Sequence, residues 1–349
     1  MPVPASERIE TEALVIGAGP VGLFQVFQLG LQGIHCHMID ALPHVGGQCA
    51  ELYAGKPIYD IPGIPLCTGQ ELVERLQQQI APFQPTLHLG QQVTHIERRA
   101  DQRLAVTTDA GQNFLTSTLF IAAGVGAFVP RRMVLDGLSA FEGSQVFAEH
   151  PAPERWAGQH LVVAGEGDAA LQTCLNAAQG PHAAASVTLL HRRDQFSAAP
   201  GLIAQMRQAC AEGRMRFVAG QPTGIKAEND RLQALELLNP QGETEWLNLD
   251  VLQTCLGLSP KLGPVAQWGL AMERKQLVVN TENFATSEPG IFAVGDINTY
   301  PGKKKLILCG FHEATLAAFG AVALLRPAEK TLLQYTTTST LLHQRLGLL

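Results

Sequence analysis

Charge is scarce in this 349-residue sequence: Lys, Arg, Asp and Glu make up 16% of it, against roughly a quarter of an ordinary soluble domain. With 46% of residues hydrophobic, a large core can be built. The formal net charge of −6 speaks against a nucleic-acid-binding surface. Cysteines number seven, an odd count (Cys36, Cys49, Cys67, Cys174, Cys210, Cys255, Cys309). No two stand in C-x-x-C spacing, which argues against a secreted disulfide framework, a zinc site and a local dithiol. They are expected to be small buried apolar residues. The N-terminus, MPVPASERIETEA, has acids and no apolar h-region, so it does not read as a signal peptide. The longest apolar run, Ala314 to Leu325, reads as too short for a bilayer and as a buried helix. No low-complexity tract is present. The expectation is a cytoplasmic protein of two domains, with no membrane or nucleic-acid partner and no metal site.

What is present is a pair of glycine turns. An apolar strand ends at Ile16 and runs into Gly17-Ala18-Gly19-Pro20-Val21-Gly22, a full G-x-G-x-x-G. The first glycine permits the tight turn, the second lets backbone approach a pyrophosphate, and the third lets helix and strand pack closely. A helical pattern continues through Leu31. HCHMID then reads as a second strand ending in Asp40, an acid at the distance that suits ribose hydroxyls.

The second turn is Gly165-Glu166-Gly167-Asp168-Ala169-Ala170, the alanine-ended variant. Its next strand, Ser186 to Asp194, carries His191, Arg192 and Arg193 where the first unit carries Asp40. Two guanidiniums can bind a 2′-phosphate, so this site reads as NADP-binding. Two dinucleotides of different type in one chain suggest hydride transfer between them, with FAD and NADPH the common pair. The second unit lies between two strands that run into glycines, STLFIAAGVG and EPGIFAVGD. The first domain is therefore expected to be discontinuous, with the second inserted into it.

The segments GAGPVGL, GGQCAELYAGKPIYDIPG, AAGVGAFVPR, GEGDAAL, LLHRRDQF, PGIFAVGDINTYPGKKKLIL and YTTTST together resemble the thioredoxin-reductase-like type of ferredoxin/flavodoxin–NADP⁺ reductase. The resemblance implies an α/β fold of two Rossmann-like, three-layer domains. FAD would be held by 1–126 and 259–330, NADP by 127–258, and 331–349 would extend over the flavin. In such enzymes NADPH reduces FAD, which passes single electrons to ferredoxin or flavodoxin, and the protein is a homodimer.

The same resemblance assigns roles. Gly17, Gly19, Pro20 and Gly22 would take the FAD pyrophosphate and Asp40 the adenosine ribose. The backbone of Val93 would read adenine, and Phe128 is the aromatic after the domain's last strand. Asp296 would bind the ribityl chain; Gln48 and Tyr53 would lie along the flavin, Tyr53 stacked on one face. A helix beginning near Phe311 would point its N-terminus at the flavin. Tyr335 would stack on the other face, across a dimer, with Thr336 and Thr337 near N5, so that Tyr53, Tyr335 and Thr336 are the residues closest to the chemistry. Gly165, Gly167, Asp168, Ala169, His191, Arg192 and Arg193 would hold NADPH.

Three departures matter. The segment that carries C-x-x-C in thioredoxin reductases, GSQVFAEHPAPERWAG, has no cysteine, so electrons leave from the flavin itself. Bacillithiol-disulfide-type reductases place a cysteine where this chain has Val21. Ser197 replaces the family's arginine after HRRDxF, which implies a reduced preference for NADPH over NADH. Lys303, Lys304 and Lys305 are expected to form a basic patch that steers an acidic carrier. A flavoenzyme with another acceptor and a flavin redox sensor remain open.

Overall fold

A computed structural model describes residues 8–148, 152–329 and 332–349. The chain divides into two compact units, Met1–Ala127 with Pro260–Leu349, and Phe128–Ser259. The discontinuous path expected from the two glycine-ended strands is followed: the chain leaves the first unit through strand Ala127–Pro130 and returns through Leu258–Lys261. The boundary expected at 330–331 lies outside the described residues.

The first unit opens with β1 (Ile9–Ile16), whose last four residues are all buried. Pro20 starts α1 (Pro20–Leu31), where its fixed φ suits a first helical turn. β2 is Cys36–Asp40, one residue shorter than HCHMID suggested. The short α2 (Gln48–Tyr53) is followed by α3 (Gly69–Ile80), which Thr68 and Glu71 start with a reciprocal capping box. β3 (Thr86–Leu89), β4 (Val93–Arg98), β5 (Leu104–Thr108) and β6 (Asn113–Ile121) complete this stretch. The sheet order is β3-β2-β1-β6-β5-β4. β1, β2, β3 and β6 run parallel, while β4 and β5 form an antiparallel meander on β6. Parallel strands buried on both faces read as unbroken apolar runs, which is why the C-terminal parts of β1 (Ala13–Ile16) and β6 (Leu119–Ile121) were legible.

In the second unit β7 (Val146–Phe147), β8 (His160–Gly165), β9 (Ser186–His191), β10 (Arg216–Ala219) and β14 (Val251–Cys255) form an all-parallel sheet of order β7-β14-β8-β9-β10. Helices α4 (Asp168–Ala177) and α5 (Pro200–Ala211) pack on it through Leu171, Cys174, Met206 and Ala209. Strands β11 (Gln221–Glu228), β12 (Arg231–Leu238) and β13 (Thr244–Asn248) form a separate antiparallel sheet. A second core of Leu232, Leu235, Leu237 and Leu247 lies beneath it.

Back in the first unit, β15 (Ile291–Ala293) pairs with Leu119–Ile121 of β6. α6 (Ile307–Leu325) packs against α1, and α7 (Thr340–Arg345) ends the chain. Two expectations are corrected here. α6 starts one turn before Phe311. At 19 residues it is also long and apolar enough to cross a membrane by length and composition, contrary to the reading of Ala314–Leu325. In this fold its small-residue face, Gly310, Ala314, Ala317, Ala318 and Ala321, is buried in the core. The apolar run was cut short because Glu313 interrupts it, and that carboxylate is itself fully buried.

Candidate functional site

The first turn is shaped by backbone crowding. Gly17 sits at φ +107°, and a Cβ there would lie 2.4 Å from the Ala122 carbonyl oxygen. A Cβ on Gly22 would fall 1.8 Å from the Gly17 carbonyl oxygen. Gly19 differs: the nearest atom to a Cβ would be Gly47 Cα at 3.9 Å. The fold therefore requires glycine at 17 and 22, whereas Gly19 leaves open space over the amides that begin α1. That space fits a pyrophosphate at a helix N-terminus.

Asp40 closes the end of β2 against this turn. Its carboxylate accepts from the Ala18 amide and, at 2.8 Å, from the Leu42 amide. Burial pushes its carboxyl above the usual range, and the two backbone donors pull it back. Each oxygen keeps a lone pair for ribose hydroxyls. The Asp40 carbonyl accepts from Gln91 N at 3.0 Å, which brings the segment leading to Val93 beside the same strand end. Val93 is buried at the start of β4. Phe128 stands in strand Ala127–Pro130, and its side chain lies outside the described residues.

The residues expected beside the flavin also converge. Gln48 Nε2 donates to Asp296 Oδ2 at 3.3 Å. Tyr53 is half-buried, and burial, Cys49 and Asp296 together push its phenol up to about 12. It is therefore a neutral ring at neutral pH. Val21, the position of the bacillithiol-type cysteine, packs between Gly295 and Gly310 and joins α1 to the start of α6.

The second turn repeats the logic within its own unit. A Cβ on Gly165 would lie 2.4 Å from the Cys255 carbonyl oxygen, whereas one on Gly167 meets nothing closer than Ser197 O at 3.9 Å. Asp168 Oδ1 accepts from Ala199 N at 2.7 Å and ties the following loop to the turn, while Ala169 is exposed at the start of α4. His191 is held by Arg193 O at 2.9 Å and Glu166 Oε2 at 3.3 Å. Arg192 and Arg193 are exposed, and among the described residues neither guanidinium forms an ion pair.

Residues 11–315 match the pyridine nucleotide-disulphide oxidoreductase family. The chain belongs to that family. Relatives include the ferredoxin–NADP reductase of Albidiferax ferrireducens, 56% identical over 98% of this chain and 97% of that protein. That of Paracidovorax citrulli is 58% identical over 97% of this chain and 96% of its own. Among solved structures, the thioredoxin reductase of Lactococcus lactis in its FR conformation has a similar fold: TM-score 0.55, 22% identity, 90% of this chain and 99% of that one covered.

Against the disulphide chemistry in the family's description, all seven cysteines here are free thiols. Burial pushes Cys36 up to about 12 and Cys49 up to about 11, so neither supplies a thiolate nucleophile at neutral pH.

One sequence reading changes. Lys303 is not part of an exposed patch: its side chain is 7% exposed and paired with the fully buried Glu313. Only Lys304 and Lys305 remain on the surface. The tail residues Tyr335, Thr336 and Thr337 are exposed, and among the described residues their hydrogen bonds stay within the tail. α7 is fastened through Arg345 to Leu31 O at the C-terminal end of α1. The glycine turn is at the other end of that helix, about 18 Å away by helix rise. Within one chain the structure does not bring these three residues to Tyr53 and Asp296.

Sequence reasoning missed Arg207, Gln276 and Glu313. Arg207 forms an ion pair with Asp194 and lies over the Phe196 ring, 5.3 Å from its centroid. It neutralises the one acid that directly follows the arginine pair. Its only signal in sequence was a basic residue on a helix, which reads as surface.

Proposed function

We propose that this protein is an FAD-dependent ferredoxin– or flavodoxin–NADP⁺ reductase. The observation that carries the reading is the contrast between the two turns. One is closed by a carboxylate, Asp40, and the other by two guanidiniums, Arg192 and Arg193, that form no ion pair among the described residues. A ribose with free hydroxyls suits the first and a 2′-phosphate the second. The names of relatives above 55% identity agree. FAD bound at the first turn can take hydride from NADPH and release electrons singly to an iron–sulfur protein or flavodoxin.

The chain's own residues bind, orient and exclude water. Gly19 and the amides of α1 hold the pyrophosphate, and Asp40 holds the ribose. Gln48 and Asp296 hold the ribityl side, and Tyr53 offers a neutral aromatic face for stacking. No side-chain acid, base or nucleophile is required. Lys304 and Lys305 attract an acidic carrier and set its rate of encounter. Tyr335, Thr336 and Thr337, together with the exposed Leu332, Leu333 and Leu341, cover the open flavin face of a second copy in a homodimer. The same reading puts the protein in the cytoplasm, with its carriers.

The test is an anaerobic titration of the purified yellow protein with NADPH, followed by ferredoxin, flavodoxin, a quinone or oxygen. Rapid reoxidation by ferredoxin or flavodoxin supports the reading. Reoxidation by quinone or oxygen alone points to another acceptor. A stable reduced flavin with no competent acceptor points to a sensor.

A further inference from the structure

We infer that Glu313 and Lys303 are positioning residues for Asp296, a buried charge pair that holds the peptide before it and thereby sets how tightly, and at what potential, the flavin is bound. The inference rests on the first turn being the FAD site.

The geometry is dense. Glu313 Oε2 accepts from Gly295 N at 2.7 Å and from Asn298 Nδ2 at 2.8 Å. Its Oε1 accepts from Tyr300 Oη at 2.9 Å and from Lys303 Nζ. Lys303 Nζ donates again to Gly295 O at 2.9 Å. Both backbone polar groups of Gly295, the residue before Asp296, are thus held by one ion pair. Gly295 has φ +80°, a conformation other residues adopt only with strain. On the far side of the loop, Gln276 Nε2 donates to Asp296 O at 3.1 Å and Asn298 O at 2.8 Å. The loop around Asp296 is therefore fixed from two sides, while the Asp296 carboxylate is left to Gln48 and the ligand.

Stability alone does not explain this arrangement. Taking two charges out of water costs about as much as their attraction returns, and apolar residues of similar volume do as well or better. The pair supplies instead a fixed loop and two opposite charges one peptide away from a flavin-contacting carboxylate. Burial and the Glu313 contact push the Tyr300 phenol well above its usual range, so Tyr300 stays a donor to that carboxylate.

The experiment uses the full-length protein in apo and FAD-loaded forms, with the variants E313Q, K303M, the double variant and Y300F. FAD affinity is read by fluorescence quenching, the gap between holo and apo melting temperatures by calorimetry, and the midpoint potential by dye-coupled titration. E313Q and K303M are expected to raise the FAD Kd roughly tenfold or more and to narrow the holo–apo gap, with Y300F showing a smaller change of the same sign. The potential should rise in E313Q, where an unpaired cation remains, fall in K303M, and return toward wild type in the double variant. Lower apo melting temperatures with an unchanged gap, Kd and potential would show a merely structural role and overturn the inference. Y300F decides the matter should the charge variants fail to fold. A wild-type chain that takes up no FAD would overturn the underlying reading instead.

Discussion

Gln48 and Asp296 lie 248 positions apart in sequence and meet in a hydrogen bond of 3.3 Å. One begins α2 and the other follows β15, so the contact exists only because the chain returns to its first unit after the inserted one. In the proposed reading the pair is where a flavin ribityl chain would be held. Removing the acceptor in D296A loses a hydrogen bond to a charged group, typically about 1.5–3 kcal/mol. The FAD Kd should therefore rise roughly tenfold to 100-fold. Flavin retained through gel filtration measures this directly, and full retention would remove Asp296 from the site.

The arginine pair should decide between the two nicotinamide cofactors. Loss of both guanidiniums in R192A/R193A removes charge-assisted contacts that only a 2′-phosphate makes. kcat/KM for NADPH is expected to fall by about 100-fold or more, and that for NADH to change little. R207A should act in the same direction more weakly, because it releases Asp194 beside the phosphate site. The wild-type enzyme should still prefer NADPH despite Ser197. Steady-state kinetics with both cofactors tests all three statements, and a wild-type preference for NADH would refute the assignment.

Surface lysines should affect the carrier and not the nucleotide. K304A/K305A is expected to raise the KM for ferredoxin several-fold and to flatten its dependence on salt, with the KM for NADPH unchanged. An unaltered salt profile would show that the two lysines are only solvated.

How far the sequence could be read follows from how local each signal was. The glycine turns, Asp40 and the arginine pair were legible because strand, turn and helix start lie within a few residues of one another. The fate of Lys303 was not, because three adjacent lysines read as surface in any window. Lys303 alone turns inward, to a carboxylate on a helix whose start the sequence placed one turn late. The tail stays open for a different reason. YTTTST fixes no geometry of its own, and where it acts depends on what the rest of the chain, or a second chain, presents to it.

Acid should weaken the first unit through a histidine pair. His37 Nδ1 and His88 Nε2 are 2.9 Å apart, with their rings stacked and the Phe114 edge against both. One neutral ring must donate to the other, and two imidazolium ions would face each other with like charge. Burial holds both below the ordinary histidine value, His37 further through His88. The folded state therefore binds fewer protons than the unfolded chain over the range just below about pH 6.5. Stability from this pair is complete above that range and is lost as pH falls through it. Melting temperature measured from about pH 7.5 to about pH 5 should fall, and H88Q should flatten the slope. A slope unchanged by H88Q would clear the pair of any role in acid sensitivity.

The three glycines of the first turn should separate folding from binding. A methyl group on Gly22 would overlap the Gly17 carbonyl at 1.8 Å, and backbone cannot step aside without moving α1 off β1. G22A is expected to lose on the order of 3 kcal/mol or more of apo stability, whatever ligand is added. A methyl on Gly19 would make only an ordinary contact, 3.9 Å from Gly47 Cα. G19A should fold with near-wild-type apo stability and yet lose FAD affinity about tenfold or more, since the methyl occupies the space left for the pyrophosphate. The contrast is the informative result. If G19A bound FAD as tightly as the wild type, the open space above α1 would not be where the pyrophosphate lies, however well the rest of the turn fits.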